Sequence, residues 1–231
     1  MGTLAVSGAS GKTGWRVVEE ALGRGWQVRA LVRPGSVLPP ALATAEQEGT
    51  LQVLRLELGE REALHRALEG CDALVIATGA RPSVNLAGPL QVDALAVRQQ
   101  IGACQAVGLR RVVLVSSLCA GRWLHPLNLF GLILVWKGVG ERWLEASGLD
   151  WTVVRPGGLS EREEGLECGQ EREGVVFSGA DQQESNSIPR RLVARVCVEA
   201  LAAQAAIGRV IEITSNSDQP HRSLEQWLAV A

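Results

Sequence analysis

The sequence predicts a single doubly wound α/β domain, a parallel sheet with helices on both faces. Three observations predict it. Short apolar runs alternate with stretches of helical period from the first residues onward. A glycine-rich turn joins the first run to the first helical stretch. The 231 residues suffice for one well-packed α/β core with, at most, a small C-terminal annex, so residues 1–231 read as one domain.

In chain order, the apolar runs place strands at 3–7, 27–32, 51–57, 73–78, 111–116, 150–155 and 210–214. Apolar residues at helical spacing place helices at 14–24, 60–68, 89–107, 136–147 and 190–204. Right-handed crossovers between these units give the doubly wound order. The stretch 157–187 breaks the rhythm, with Glu161, Glu163, Glu164, Glu167, Glu171 and Glu173 set among glycines and glutamines. It reads as a solvated excursion over the C-terminal edge of the sheet, and 157–190 is the candidate lid or substrate loop.

Composition narrows the partners. A net charge of −2, with both signs spread along the chain, leaves no basic footprint for nucleic acid. The most apolar stretch, 127–136, contains Gly131 and falls short of the roughly 20 residues of a membrane span. A small-molecule partner is therefore expected, with no nucleic acid and no membrane span. Cys71, Cys104, Cys119, Cys168 and Cys197 are odd in number and far apart, which fits neither a zinc site nor a disulfide framework. No metal is expected. Free thiols and a start without a basic leader predict a cytoplasmic protein.

The glycine turn carries the first chemistry. Gly8, Gly11 and Gly14 stand at GxxGxxG spacing, directly after a strand and directly before an amphipathic helix. Gly8 permits the tight turn, Gly11 the approach of a pyrophosphate, and Gly14 close packing of helix on strand. Ser10, Lys12 and Thr13 complete a loop whose free N–H groups face an anion at the helix N-terminus. This is a Rossmann-type dinucleotide site. A triphosphatase P-loop would need glycine five residues before Gly11, where Val6 stands.

The second strand decides between cofactors. An acidic residue at its end would accept hydrogen bonds from a free ribose 2′-hydroxyl, but Arg33 stands there. A guanidinium suits a 2′-phosphate, so the expected cofactor is NADP(H). Glu57 and Leu58 are placed to border the adenine. Thr78, Gly79 and Ala80 follow the fourth strand, where backbone passes the cofactor closely.

Six segments together define a resemblance: Gly8-Ala-Ser-Gly-Lys-Thr-Gly14, Leu31-Val-Arg33, Val112-Val-Leu-Val-Ser-Ser117, His125-Pro-Leu-Asn128, Leu134-Val-Trp-Lys137 and Thr152-Val-Val-Arg-Pro-Gly-Gly158. Over nearly its whole length the chain resembles the atypical short-chain dehydrogenase/reductases, in particular the NmrA-like, NAD(P)-binding branch of cyanobacterial and chloroplast type. The resemblance implies a Rossmann core with a reduced C-terminal substrate region. It also implies a catalytic serine after the fifth strand, here Ser116 or Ser117, and a Tyr-x-x-x-Lys pair whose lysine is Lys137. At the tyrosine position stands Ile133, and the chain contains no tyrosine at all.

Reducing an ordinary ketone needs a positioned acid, worth roughly 10²–10⁴ in rate. Without one, the chemistry left is reduction of a flat acceptor of quinone, flavin or tetrapyrrole type, whose anion is delocalised and weakly basic. Lys137 is placed to bridge the nicotinamide ribose, Ser116 and Ser117 to touch nicotinamide or substrate, and Pro156, Gly157 and Gly158 to pass over the nicotinamide face. His125, beside a proline, reads more readily as structural than as a proton donor. Trp123, Trp136 and Trp143 read as core before stacking surface. The competing functional reading is a non-catalytic redox sensor or assembly factor with a regulatory protein partner. Sugar-nucleotide epimerase chemistry is disfavoured, because enzymes of that kind normally keep the tyrosine.

Overall fold

The computed structural model describes residues 2–80, 87–162, 174–183, 185–219 and 222–230. Glu163, Glu164, Glu167, Glu171 and Glu173 of the acidic run, Cys168 and His221 lie outside them. Along the chain run β1 (Thr3–Ser7), α1 (Gly14–Gly23), β2 (Gln27–Val32), α2 (Ala43–Gln47), β3 (Leu51–Arg55), α3 (Arg61–Leu68) and β4 (Ala73–Ile76). A π-helical turn (Leu90–Leu95) leads into α4 (Ala96–Val107), followed by β5 (Arg111–Val115), α5 (Ile133–Glu145) and β6 (Asp150–Pro156). Then come β7 (Gly158–Ser160), β8 (Gly174–Ser178), β9 (Ser187–Pro189), α6 (Arg190–Ala202), β10 (Arg209–Asn216) and α7 (Leu224–Leu228).

Among the described residues the main sheet has the order β3-β2-β1-β4-β5-β6-β10-β8. All its pairings are parallel except that of β8 with β10. The order reverses between β1 and β4, and the carboxyl ends on either side of that reversal form the crevice where such sheets bind ligands.

The central strands carry mostly apolar residues on both faces because both faces are covered. Leu4 and Val6 of β1 join Val75, Val113 and Val115 against Val17, Val18 and Ala21 of α1 and Leu192, Val193 and Val196 of α6. Ala5, Leu74, Ile76, Val112 and Leu114 point the other way, into Leu64 and Leu68 of α3, Ile101 and Cys104 of α4 and Leu144 of α5. The period of two along each strand thus feeds two cores at once.

The described residues of the excursion after β6 include strands where the polar composition predicts a solvated loop. Gly158–Ser160 and Ser187–Pro189 pair in parallel as a separate ribbon, and Gly174–Ser178 adds an antiparallel edge strand. Val175 and Ile188 are buried, so a short β-branched or apolar anchor outweighs the polar residues around it. The helix predicted over 89–107 begins as the π-helical turn, a form that recurs at functional sites. No helix among the described residues is long and apolar enough to cross a membrane.

Candidate cofactor site

The glycine turn has the geometry its spacing predicts. Gly8 sits at φ +71°, and a Cβ on Gly14 would lie 2.1 Å from the Gly8 carbonyl oxygen. Gly11 donates its N–H to that same carbonyl at 2.8 Å. Helix α1 therefore starts against the end of β1, with its first N–H groups directed at the crevice.

From this turn a cavity of about 670 Å³ runs along the carboxyl ends of β4, β5 and β6. The volume suits a cofactor together with a small partner. Its walls include Gly11, Lys12 and Thr13, then Thr78, Gly79 and Ala80, then Ser116 and Ser117, and finally Pro156, Gly157 and Gly158. Lys137 and Ile133 face it from α5, one helical turn apart. Ser116 Oγ and Thr78 Oγ1 are buried there with no hydrogen-bond partner among the described residues. Buried hydroxyls left in that state fit a polar ligand that would complete them. The dinucleotide fits these residues: a glycine cradle at one end, unpartnered hydroxyls and an ammonium at the other.

The ammonium does not stand alone. Lys137 Nζ lies 2.8 Å from Asp93 Oδ1, with the side chains 14% and 1% exposed. Asp93 sits in the π-helical turn, and its other oxygen accepts the Ala80 N–H at 3.2 Å. Gly140 makes this approach possible, since a Cβ there would come within 2.5 Å of the Asp93 carbonyl oxygen. Two walls of the cavity, Ala80 after β4 and Lys137 on α5, are tied together through one carboxylate. The sequence reading missed Asp93; an aspartate inside an otherwise apolar helical repeat was the available signal.

His125 also lines the cavity, and its Nδ1 accepts the Leu127 N–H at 3.2 Å, capping the short helix Pro126–Phe130. A histidine beside a proline reads as structural, and here the ring makes a structural contact, the cap itself. Arg190, missed by the sequence reading, lines the cavity and donates to Thr13 Oγ1 at 2.9 Å.

Arg33, Glu57, Leu58, Ser10, Gly8 and Gly14 are not among the cavity's lining residues. Gly8 and Gly14 shape the turn from beneath. Exposed Arg33 and Glu57, and half-buried Leu58, follow the carboxyl ends of β2 and β3, on the open side of the glycine turn. Trp143 packs with the core as predicted, whereas Trp123 is exposed.

Fold and cavity together define a dinucleotide-binding protein of Rossmann type. Residues 8–204 match the family model described as NAD(P)H-binding, and the chain belongs to that family, with a nicotinamide dinucleotide as its cofactor class. The chain is 35% identical to the chloroplastic protein At2g34460 of Arabidopsis thaliana, over 97% of this chain and 80% of the relative. It is 27% identical to sanguinarine reductase of Eschscholzia californica, over 94% of this chain and 90% of that enzyme. Among solved structures, a putative NAD-dependent epimerase/dehydratase from Bacillus halodurans superposes with a TM-score of 0.81 at 25% identity, each chain covered in full. These relatives place the protein among the atypical short-chain dehydrogenase/reductases, oxidoreductase in type.

Proposed function

We propose that this protein is an NADP(H)-dependent reductase of a flat acceptor, of quinone, flavin or tetrapyrrole type, working without a tyrosine acid. The carrying observation is Ile133: it faces the cavity one turn before Lys137, where the proton donor of tyrosine-dependent relatives would stand. When bound, the reduced nicotinamide supplies the hydride. The glycine turn would hold the pyrophosphate, Lys137 would hydrogen-bond the nicotinamide ribose, and Ser116 Oγ would complete its hydrogen bonding on the nicotinamide or the acceptor. Leu127, Ile133 and Leu159 give the cavity apolar lining against which a flat ring system would pack. An acceptor whose reduced anion is delocalised draws its proton from solvent, so juxtaposition is the main demand on the protein.

The reductase relative supports this class of reaction. The epimerase name carried by the Bacillus halodurans protein supports it less, because moving a proton to and from a sugar carbon calls for the acid–base group that Ile133 replaces. Among the described residues, Cys71, Cys104 and Cys197 are buried thiols in no disulfide, which agrees with a reducing, cytoplasmic setting. A second reading, a regulatory protein partner in place of an acceptor, is favoured by one observation: Trp123, Leu124 and Leu129 stand exposed on the loop between β5 and α5.

The test is NADPH oxidation by the purified protein against a panel of quinones, flavins and tetrapyrroles, with a simple ketone as control. Turnover of a panel member and none of the ketone is expected. Turnover of the ketone alone would overturn the proposed chemistry, and a cofactor-saturated protein that turns over nothing would put the protein-partner reading first.

A further inference from the structure

The ribbon of β7 and β9 ends at the glycine turn. Its parallel register runs Gly158 with Ser187, Leu159 with Ile188 and Ser160 with Pro189. One step further, Glu161 meets Arg190, and the Arg190 Nε donates to Glu161 Oε1 at 3.0 Å. Arg190 opens helix α6, so its position is fixed by a long buried helix on one side and by the ribbon on the other. From there its Nη1 reaches Thr13 Oγ1 on the turn itself.

The same carboxylate draws in two more cations. Lys12 Nζ lies 2.9 Å from Glu161 Oε1, and Arg16 Nη2 lies 3.7 Å from Oε2. Lys12 belongs to the glycine turn and Arg16 to the first turn of α1. Three cations from separate elements thus meet at the N-terminus of α1, and one carboxylate lies among them. Hydrogen bonds from Lys12 and then Arg190 hold that carboxyl below its usual range. Glu161 is half-exposed, so nothing in the core requires it there.

Lys12, Thr13 and Arg190 also line the cavity in which the dinucleotide fits. A pyrophosphate seated on the N–H groups of that helix end presents oxygens to the same cations. We propose that Arg190, with Lys12 and Arg16, is a pyrophosphate-binding residue, and that Glu161 is an internal competitor which holds these cations until the cofactor displaces it. The carboxylate takes the cations at the cost of cofactor affinity, and release of Glu161 frees the ribbon that frames the cavity mouth. Cofactor occupancy is thereby coupled to the position of β7. This rests on the nicotinamide-dinucleotide class of the family and is independent of which acceptor is reduced.

The test is a titration of the full chain with NADPH, followed by tryptophan fluorescence and by calorimetry, for the wild type, Glu161→Gln and Arg190→Gln. Glu161→Gln keeps the size and polarity of the side chain but removes its charge. It is expected to tighten NADPH about 3- to 10-fold, since it releases two close ion pairs each of modest strength. Arg190→Gln is expected to weaken NADPH about 10-fold, as loss of one charge-assisted phosphate contact does. In the double variant the gain from Glu161→Gln should shrink, because one of the cations it frees is gone. Unchanged or weaker binding by Glu161→Gln would overturn the competitor role and make Glu161 a latch or a bystander. Unchanged binding by Arg190→Gln would remove Arg190 from the phosphate site. Wild type and Glu161→Gln both failing to bind NADPH and NADH would instead overturn the cofactor assignment itself, which separates the two failures.

Discussion

Replacing Lys137 by methionine isolates the charge of the most enclosed ion pair in the cavity. Methionine keeps most of the stem that packs beside Leu134 and removes only the ammonium. Asp93, 1% exposed, then keeps the Ala80 N–H at 3.2 Å but has lost the cation that balanced its charge. Breaking a buried pair from one side costs about 3–5 kcal/mol, and the partial exposure of Lys137 puts the loss near 3 kcal/mol. In a chain of this size that lowers Tm by roughly 6–12 °C. Asp93→Asn in the same background neutralises the stranded carboxylate while keeping an oxygen for Ala80, so the double variant should recover to within about 1 kcal/mol of wild type. The assay is urea unfolding followed by tryptophan fluorescence, supported by thermal melts. A Lys137→Met protein as stable as wild type, or a double variant less stable than the single, would refute the pair as described. The result bears on enzymology too, because lost turnover in a Lys137 variant measures folding as well as chemistry unless the double variant is run beside it.

Two further outcomes follow from the same structure. Arg33→Ala should weaken NADPH about 10-fold and leave NADH nearly unchanged, the loss of one charge-assisted contact to a 2′-phosphate; equal losses for both cofactors, measured by calorimetry, would remove Arg33 from that role. Burial pushes the thiols of Cys104 and Cys197 up to about 12, so both stay neutral in the folded protein at pH values where the unfolded chain ionises them. The unfolded state then binds fewer protons, and stability should fall as pH rises above about 9, by roughly 1.4 kcal/mol per pH unit for each thiol. Denaturant unfolding at stepped pH checks this, and a Cys197→Ala protein with an undiminished slope would refute it.

The parallel sheet and both cores were legible because the middle of a strand buried on two faces must be apolar, as at Leu4, Ala5 and Val6 of β1, throughout β4, and from Val112 to Val115 in β5. The glycine turn was legible because Gly14 is required by the Gly8 carbonyl, a constraint within seven residues of chain. Lys137, Ser116 and Gly157 could be placed because each follows a strand or starts a helix at the same sheet edge. What escaped depends on contacts distant in sequence. Asp93 meets Lys137 only through the packing of α5 on the π-helical turn. Arg190 and Glu161 come to the glycine turn only because β7 and β9 pair beside it, and the glutamate-rich composition around Glu161 hides the few apolar residues that anchor that ribbon.

The missing tyrosine and the buried aspartate have to be considered together. In the tyrosine–lysine couple that the family resemblance implies, the ammonium favours the ionised form of the phenol and so shares its charge with the reacting group. With Ile133 in that place, an unpaired ammonium beside Leu134 and Ile133 would carry a desolvation cost with nothing to offset it. Asp93 supplies the opposite charge at 2.8 Å, from a buried position in the π-helical turn. The pair is neutral as a whole, so it orients groups through the remaining N–H directions of Lys137 and adds little net field where hydride moves. Such a site positions a ribose firmly and stabilises a developing alkoxide poorly. Under the proposed chemistry the acceptor itself must therefore spread the negative charge, and the substrate range narrows for an electrostatic reason as well as for want of an acid.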